Sequence, residues 1–247
     1  MLTVTKGIVL RTVKYGETSV IVSIFTEIYG AQSYIVNGVR SNSKSAQGKS
    51  ALYQPGSILE LTVYHNDGKN LQRIREARWS YLYQNIFFDV RKNAVALFFV
   101  ELLQKCLRQP EPLPDLFYFA EDLLMALDHA GDMETANLPL FAATHLPGFF
   151  GMRIDDNYSV KKSVLDLRDG VFTEEIPLHP HYLTDPNSGY IAELLRTQQP
   201  SELSELLLNR EQRQLLLRAC QDFYVLHLPE FGTMRSLQVL QAILNDA

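Results

Sequence analysis

Two hydrophobic periods divide the chain, and the change between them falls near residue 80. Before it, apolar and polar positions alternate in short runs, the two-residue period of a half-buried strand. Val4–Val13 carries Val4, Ile8 and Leu10 with polar Thr5 and Arg11 interspersed. Ser19–Phe25 (SVIVSIF) is rich in β-branched residues and reads as a buried strand. Gln32–Val36 is a third, Ile58–His65 alternates with period two, and Leu71–Trp79 is the fifth. Tyr15-Gly16-Glu17 and Glu27–Gly30 supply turns, and Asn66-Asp67-Gly68-Lys69 is a hairpin turn whose Asp-Gly pair tolerates positive φ. Five short strands with one long connection, Asn37–Ser57, predict a small closed barrel. That connection, poor in apolar residues, reads as a solvated loop.

Beyond residue 80 the period becomes 3.6. Asp89–Arg108 places Val95, Phe98, Phe99, Leu102, Leu103 and Cys106 on one helical face. Pro110, Pro112 and Pro114 end it and open a second helix, Asp115–His129, closed by Gly131. Further helices are expected at Glu134–Leu146, Ser201–Leu208, Arg210–Leu226 and Met234–Ile243. The stretch 155–186 breaks the pattern with many charges, an Asp-Gly turn in DLRDGVF, and Pro177, Pro180 and Pro186. The expected architecture is α+β and multidomain: a five-stranded barrel over 1–80, then an α-helical bundle domain over 81–247 with an inserted loop or hairpin at about 151–186.

Composition narrows the class. With 46% hydrophobic and 21% charged residues, the chain of 247 residues falls in the ordinary globular range. No apolar run approaches the ~20 residues that span a bilayer. The N-terminus alternates where a signal peptide would show a basic start and an unbroken apolar core, so a soluble cytoplasmic protein is expected. Two cysteines, Cys106 and Cys220, exclude a four-cysteine metal site. The net charge of −5 conceals an asymmetry. Residues 1–80 hold 10 Lys+Arg against 5 Asp+Glu, and residues 81–247 hold 13 against 23. A basic part attracts phosphates; an acidic part repels them.

Candidate chemistry is sparse. There is no phosphate-cradling GxxxxGK[ST] loop, no GxGxxG after a strand and no GxSxG elbow. The carboxylate pairs Asp155-Asp156 and Glu174-Glu175 lie in polar stretches and read as solvated. His179 and His181, near Glu174 and Glu175, are a weak metal or hydrolase signal, because zinc needs three or four converging ligands. No metal, cofactor or catalytic residue is expected. What remains is a set of cations with aromatics in the barrel: Lys6, Arg11 and Lys14; Arg40, Lys44 and Lys49; Lys69, Arg73, Arg75 and Arg78. Arg73 and Arg75 share a strand face, and Tyr34 and Tyr64 are candidates to stack on bases.

The order of short motifs resembles the RecO family, the bacterial recombination mediators. Val9-Leu10-Arg11-Thr12, Tyr15-Gly16-Glu17, and Phe25-Thr26 with Gly30 match its opening strands and turns. Gly38 with Arg40, then Leu52 with Pro55, match the segment before strand four, and Tyr224–Leu240 resembles its terminal helix pair. The resemblance implies an OB-fold barrel ahead of a helical domain, and a non-enzymatic protein of DNA repair and recombination. It implies binding of single-stranded and also double-stranded DNA, strand annealing, and loading of RecA together with RecR. It further implies contact with the C-terminal tail of single-stranded-DNA-binding protein, and a cytoplasmic, nucleoid-associated location. The DNA-binding set is then Lys6, Arg11, Lys14, Tyr34, Arg40, Lys44, Lys49, Arg73 and Arg75. Arg210, Arg213 and Arg218 are candidates for an acidic partner tail. Two departures stand out: Asn37 replaces a loop lysine, and the four-cysteine zinc module of many members is missing, with Gly151–Pro180 the corresponding stretch. A protein-interaction adaptor whose barrel binds a protein in place of DNA remains the rival expectation.

Overall fold

The computed structural model describes residues 2–39 and 44–244; the side chains of 44–47 fall outside that description. Five strands form a closed barrel: β1 (Leu2–Tyr15), β2 (Ser19–Thr26), β3 (Gly30–Val36), β4 (Ile58–Tyr64) and β5 (Leu71–Tyr81). The order is β1-β2-β3-β5-β4, and β1 pairs with β4 to complete the ring. Every pair is antiparallel except β3 with β5. This is the five-stranded OB-fold topology. Alternation explains it: Val20, Val22 and Ile24 of β2 and Leu59, Leu61 and Val63 of β4 all point inward and are buried together.

The connection after β3 contains a helix, α1 (Lys44–Leu52), in place of the expected loop. Its sequence is helix-compatible at Ala46, Lys49, Ala51 and Leu52, but Gly48 and four serines and asparagines ahead of it dilute the signal. Val39 before α1 and Tyr53 after it are buried in the barrel core and anchor the connection at both ends.

The chain divides into two compact units, residues 1–84 with 103–124, and residues 85–102 with 125–247. The barrel's unit therefore includes the end of α2 (Val90–Cys106) and most of α3 (Pro114–His129), a different division from a single cut at residue 80. Within the first unit, Phe117 of α3 packs on Phe25 of β2 with ring centroids 5.6 Å apart. Lys6 Nζ lies 2.9 Å from Glu121 Oε1, and the Tyr118 hydroxyl donates to Glu27.

The second unit is built around α4 (Asp132–His145), with α5 (Asn187–Arg196), α6 (Arg210–His227) and α7 (Arg235–Ile243). Leu138, Leu140, Phe141 and Ala142 of α4 are buried. Asp128 is 0% exposed, and its carboxylate accepts hydrogen bonds from the backbone amides of Asn85 at 2.8 Å and Ile86 at 2.9 Å. The helix expected at Ser201–Leu208 is only a 3-10 turn, Pro200–Ser204. The Asn137 side chain donates to the Leu203 carbonyl at 3.0 Å and the Leu206 carbonyl at 2.8 Å, so these acceptors serve a tertiary contact and not a continuing helix. Helix α5 is an addition to the expected elements. The insertion is a three-stranded sheet, ordered β7-β6-β8, of β6 (Val164–Asp166), β7 (Val171–Thr173) and β8 (Tyr182–Leu183). No described helix is long and apolar enough to cross a membrane.

Candidate nucleic-acid interface

Strand β5 organises the site through a bulge. Val63 of β4 faces Ile74, and the next residue, Thr62, faces Glu76, so Arg75 is the extra residue. A bulge of this kind locally breaks the alternation of side chains. Ile74, Ala77 and Trp79 pack toward the core, while Arg73, Arg75, Glu76 and Arg78 are exposed. Arg73 sits between Ile35 of β3 and Tyr64 of β4 in the sheet. Helix α1 then contributes Lys49. A groove of about 420 Å³ is lined by Lys49, Arg73 and Arg75 together with Ile35, Leu52 and Tyr53, and its one acid is Glu76. Among the described residues none of the three cations forms an ion pair.

OB barrels receive ligands on the face of strands two and three, between the first and fourth connections. Arg11 is exposed and lies opposite Ser23 of β2. Lys14 is exposed beside the β1–β2 turn, and Lys69 is exposed in the β4–β5 connection. These positions border that face on both sides.

Three candidates, Tyr34, Lys6 and Arg78, are placed differently from expectation. Tyr34 is 0% exposed and packs in the barrel core, so it offers no ring to a ligand. It lies opposite Val22 and Gln72, both inward, and so faces inward with them. Tyr64 is 50% exposed next to Arg73 and is the available aromatic. Its position is legible in the sequence: in β4 it shares parity with polar Glu60 and Thr62. Lys6 is already paired, its ammonium donating to both Glu121 oxygens at 2.9 and 3.0 Å. Arg78 is similarly engaged, its Nε donating to Glu60 at 2.8 Å. Arg40 and the side chain of Lys44 lie outside the described residues.

In the second unit, Arg213 is a poor candidate for a partner's tail. Its guanidinium donates to the Leu208 carbonyl at 2.6 Å, and burial lowers its pKa. Arg218 is exposed in a groove of about 600 Å³, but Glu211 and Asp222 line the same groove. Arg210 is exposed. His179 Nε2 lies 3.2 Å from Asp166 Oδ2, while Asp166 Oδ1 accepts the Arg168 amide at 2.8 Å. The amide contact lies in the β6–β7 turn, and the imidazole contact ties the segment ahead of β8 to β6. The donors do not fit a structural zinc ion. Both thiols are elsewhere, buried, with burial pushing each up to about 12, and no three His, Cys, Asp or Glu side chains converge among the described residues.

The geometry can be set beside known proteins. Residues 1–83 match the family model described as Recombination protein O N terminal, and residues 88–237 match Recombination protein O C terminal. The chain is 32% identical over 249 residues to the DNA repair protein RecO of Bacteroides fragilis, covering 99% of this chain and 100% of that protein. It is 30% identical over 245 residues to the DNA repair protein RecO of Phocaeicola vulgatus, with 99% and 100% covered. Against the DNA repair protein RecO of Flavobacterium johnsoniae the identity is 31% over 243 residues, 98% of each. With both family models matched in chain order and relatives aligned end to end, the chain belongs to the RecO family.

Proposed function

We propose that this protein acts in DNA repair and recombination as a non-catalytic mediator that binds single-stranded DNA on its barrel. The observation that carries the reading is the meeting of Lys49, Arg73 and Arg75 in one groove, without ion-pair partners among the described residues, beside exposed Tyr64. Phosphates neutralised by such cations release counterions, which supplies affinity without sequence preference. An aromatic face adds stacking that every base can use. Strands whose charge is screened pair without any bond chemistry, so annealing needs only this surface. Double-stranded DNA presents the same phosphates and is a second ligand. Family membership supports RecR and the tail of single-stranded-DNA-binding protein as partners, with RecA loading as the outcome of the assembly. The buried thiols and the His179–Asp166 contact, committed to the fold, favour a non-catalytic role.

The test is fluorescence anisotropy with labelled oligothymidylate across a salt series. Lys49→Glu/Arg73→Glu/Arg75→Glu is expected to weaken binding at every salt and to reduce the salt slope by about 2, since each neutralised phosphate accounts for ~0.7 of that slope on a single strand. Parent-like binding by this variant would refute the assignment to this groove. No binding by the parent itself at low salt would favour the adaptor role.

A further inference from the structure

The first unit carries a second groove, of about 530 Å³, that shares Lys69 with the border of the ligand face. One wall is the barrel, from Ile28–Ser33 of the β2–β3 turn and β3, and from Lys69, Asn70 and Gln72 around the start of β5. The other is the connector between α2 and α3, Leu107–Gln109 with Pro110 and Pro112.

Three features make it more than a surface dent. First, the connector is seated firmly. A Cβ at Gly30 would lie 2.1 Å from the Glu111 carbonyl oxygen, so the chain passes over the β2–β3 turn at backbone contact distance. Gly30 has φ of +64°, so glycine serves both the turn and the close approach. The Phe25–Phe117 contact and the Lys6–Glu121 pair hold the start of α3 in place just beyond. A wall fixed in this way costs little to order when a ligand binds. Second, the lining carries two cations and one acid. Lys69 and Arg108 are exposed and form no ion pair among the described residues. The acid on the lining, Asp67, accepts a contact from His65 Nε2 at 2.9 Å, and His65 stacks on Tyr29 with ring centroids 3.8 Å apart. Third, the two grooves are consecutive along one seam. Strands β3 and β5 run parallel, with Ser33 opposite Leu71 and Ile35 opposite Arg73. The Lys49–Arg73–Arg75 groove borders Ile35, and the second groove borders Ser33 and Gln72, about 7 Å further along at ~3.3 Å per residue.

We propose that a single strand of DNA leaving the Lys49–Arg73–Arg75 groove continues along the β3–β5 seam into this second groove, where Arg108 of the connector and Lys69 hold its phosphates. The proposal rests on the barrel-binding reading above. Arg108, outside the barrel strands, becomes a phosphate-binding residue, and the α2–α3 connector becomes part of the DNA site. The strand's path is longer than the barrel face alone accommodates.

The experiment uses the full chain and labelled oligothymidylates of about 4 and about 20 nucleotides, spanning the ~4–16 nucleotides such barrels occupy. Arg108→Glu is expected to weaken binding of the longer oligonucleotide by about tenfold and to lower its salt slope by about 0.7, with binding of the shorter one unchanged. Arg108→Lys restores the longer one, because holding a phosphate here needs only the charge. Parent-like binding of the longer oligonucleotide by Arg108→Glu, while Lys49→Glu/Arg73→Glu/Arg75→Glu fails to bind, overturns the second groove and leaves the barrel face standing. Equal loss on both lengths also overturns the extension, since it places Arg108 in the primary site. If the barrel triple variant binds both lengths as the parent does, the underlying reading falls instead.

Discussion

In the second unit, charge is committed to the fold at several places. Arg91 pairs with Asp132 at 2.6 Å and Arg196 with Asp156 at 2.7 Å, Asp128 is buried on two backbone amides, and Glu101 accepts the amides of Arg235 and Ser236 at 3.0 and 2.7 Å. On the barrel, Lys49, Arg73 and Arg75 line a groove with no ion pair among the described residues. Formal charge separates the two halves but does not locate a surface. Lys6 and Arg78 count toward the excess of residues 1–80, yet carboxylates already neutralise both. The useful quantity is the cation left over after the fold has satisfied its own pairs. Such a cation sits in water at little cost and remains available to a phosphate.

This contrast breaks most visibly at Asp128. Asp128→Ala strips two amides of a buried acceptor, and each such loss costs ~1–3 kcal/mol. We expect a destabilisation of about 3 kcal/mol and a fall in Tm of about 6–12 °C for a chain of this size. Differential scanning calorimetry measures it. Lys49→Glu/Arg73→Glu/Arg75→Glu, scanned alongside, should stay within about 0.5 kcal/mol of the parent. A triple variant that melts as early as Asp128→Ala would show that the barrel cations also belong to the fold, and the contrast between the units would collapse.

The two tyrosines sharpen the comparison inside the barrel. Tyr64→Ala removes an exposed ring beside Arg73 and is expected to cost about 1–3 kcal/mol of single-strand affinity without changing Tm. Tyr34→Phe keeps the buried ring and should leave affinity unchanged. Anisotropy titrations of both variants at one salt concentration decide the matter. Loss of affinity in Tyr34→Phe, with none in Tyr64→Ala, would reverse the face assignment of the barrel.

Why one tyrosine is legible in the sequence and the other is not is a matter of neighbours. In β4 the polar Glu60 and Thr62 mark the outer face, and Tyr64 follows their parity. In β3, Tyr34 and Ile35 are both apolar, so alternation alone leaves the inner face open. The strands themselves are readable, because two-residue alternation is local. The bulge at Arg75 is not, since it depends on the register with β4. It places Glu76 on the outer side along with the arginines. Lys49 reaches β5 only because α1 forms, and a glycine at the middle of α1 hides that helix in the sequence. Helix α5 begins Asn-Ser-Gly, which reads as a turn. Arg108 reads as the last residue of a helix, and its role depends on where the connector lies against Gly30.

The smallest expected effect concerns His145, at the end of α4. Its ring stacks on Phe141 with centroids 4.1 Å apart, and its nitrogens lie 2.9 Å from the Phe141 carbonyl and 3.1 Å from the Thr197 carbonyl. Both carbonyls favour a charged imidazolium, but burial opposes it more strongly and lowers the pKa. The unfolded chain's imidazole, at ~6.5, therefore takes up a proton before the folded one does. Stability from this group is present above that pH and is lost as the pH falls below it toward the depressed folded value. His145→Gln keeps one donor to a carbonyl and cannot take the proton. Urea midpoints measured from about pH 7.5 to 5 should fall more steeply for the parent than for the variant, because the other histidines titrate in both. The opposite sign, a parent that gains on the variant as acid is added, would mean that the two carbonyls outweigh burial. His145 would then be a cation held on backbone carbonyls within the second unit, where the buried Lys92 Nζ already donates to the Asp128 carbonyl at 2.8 Å.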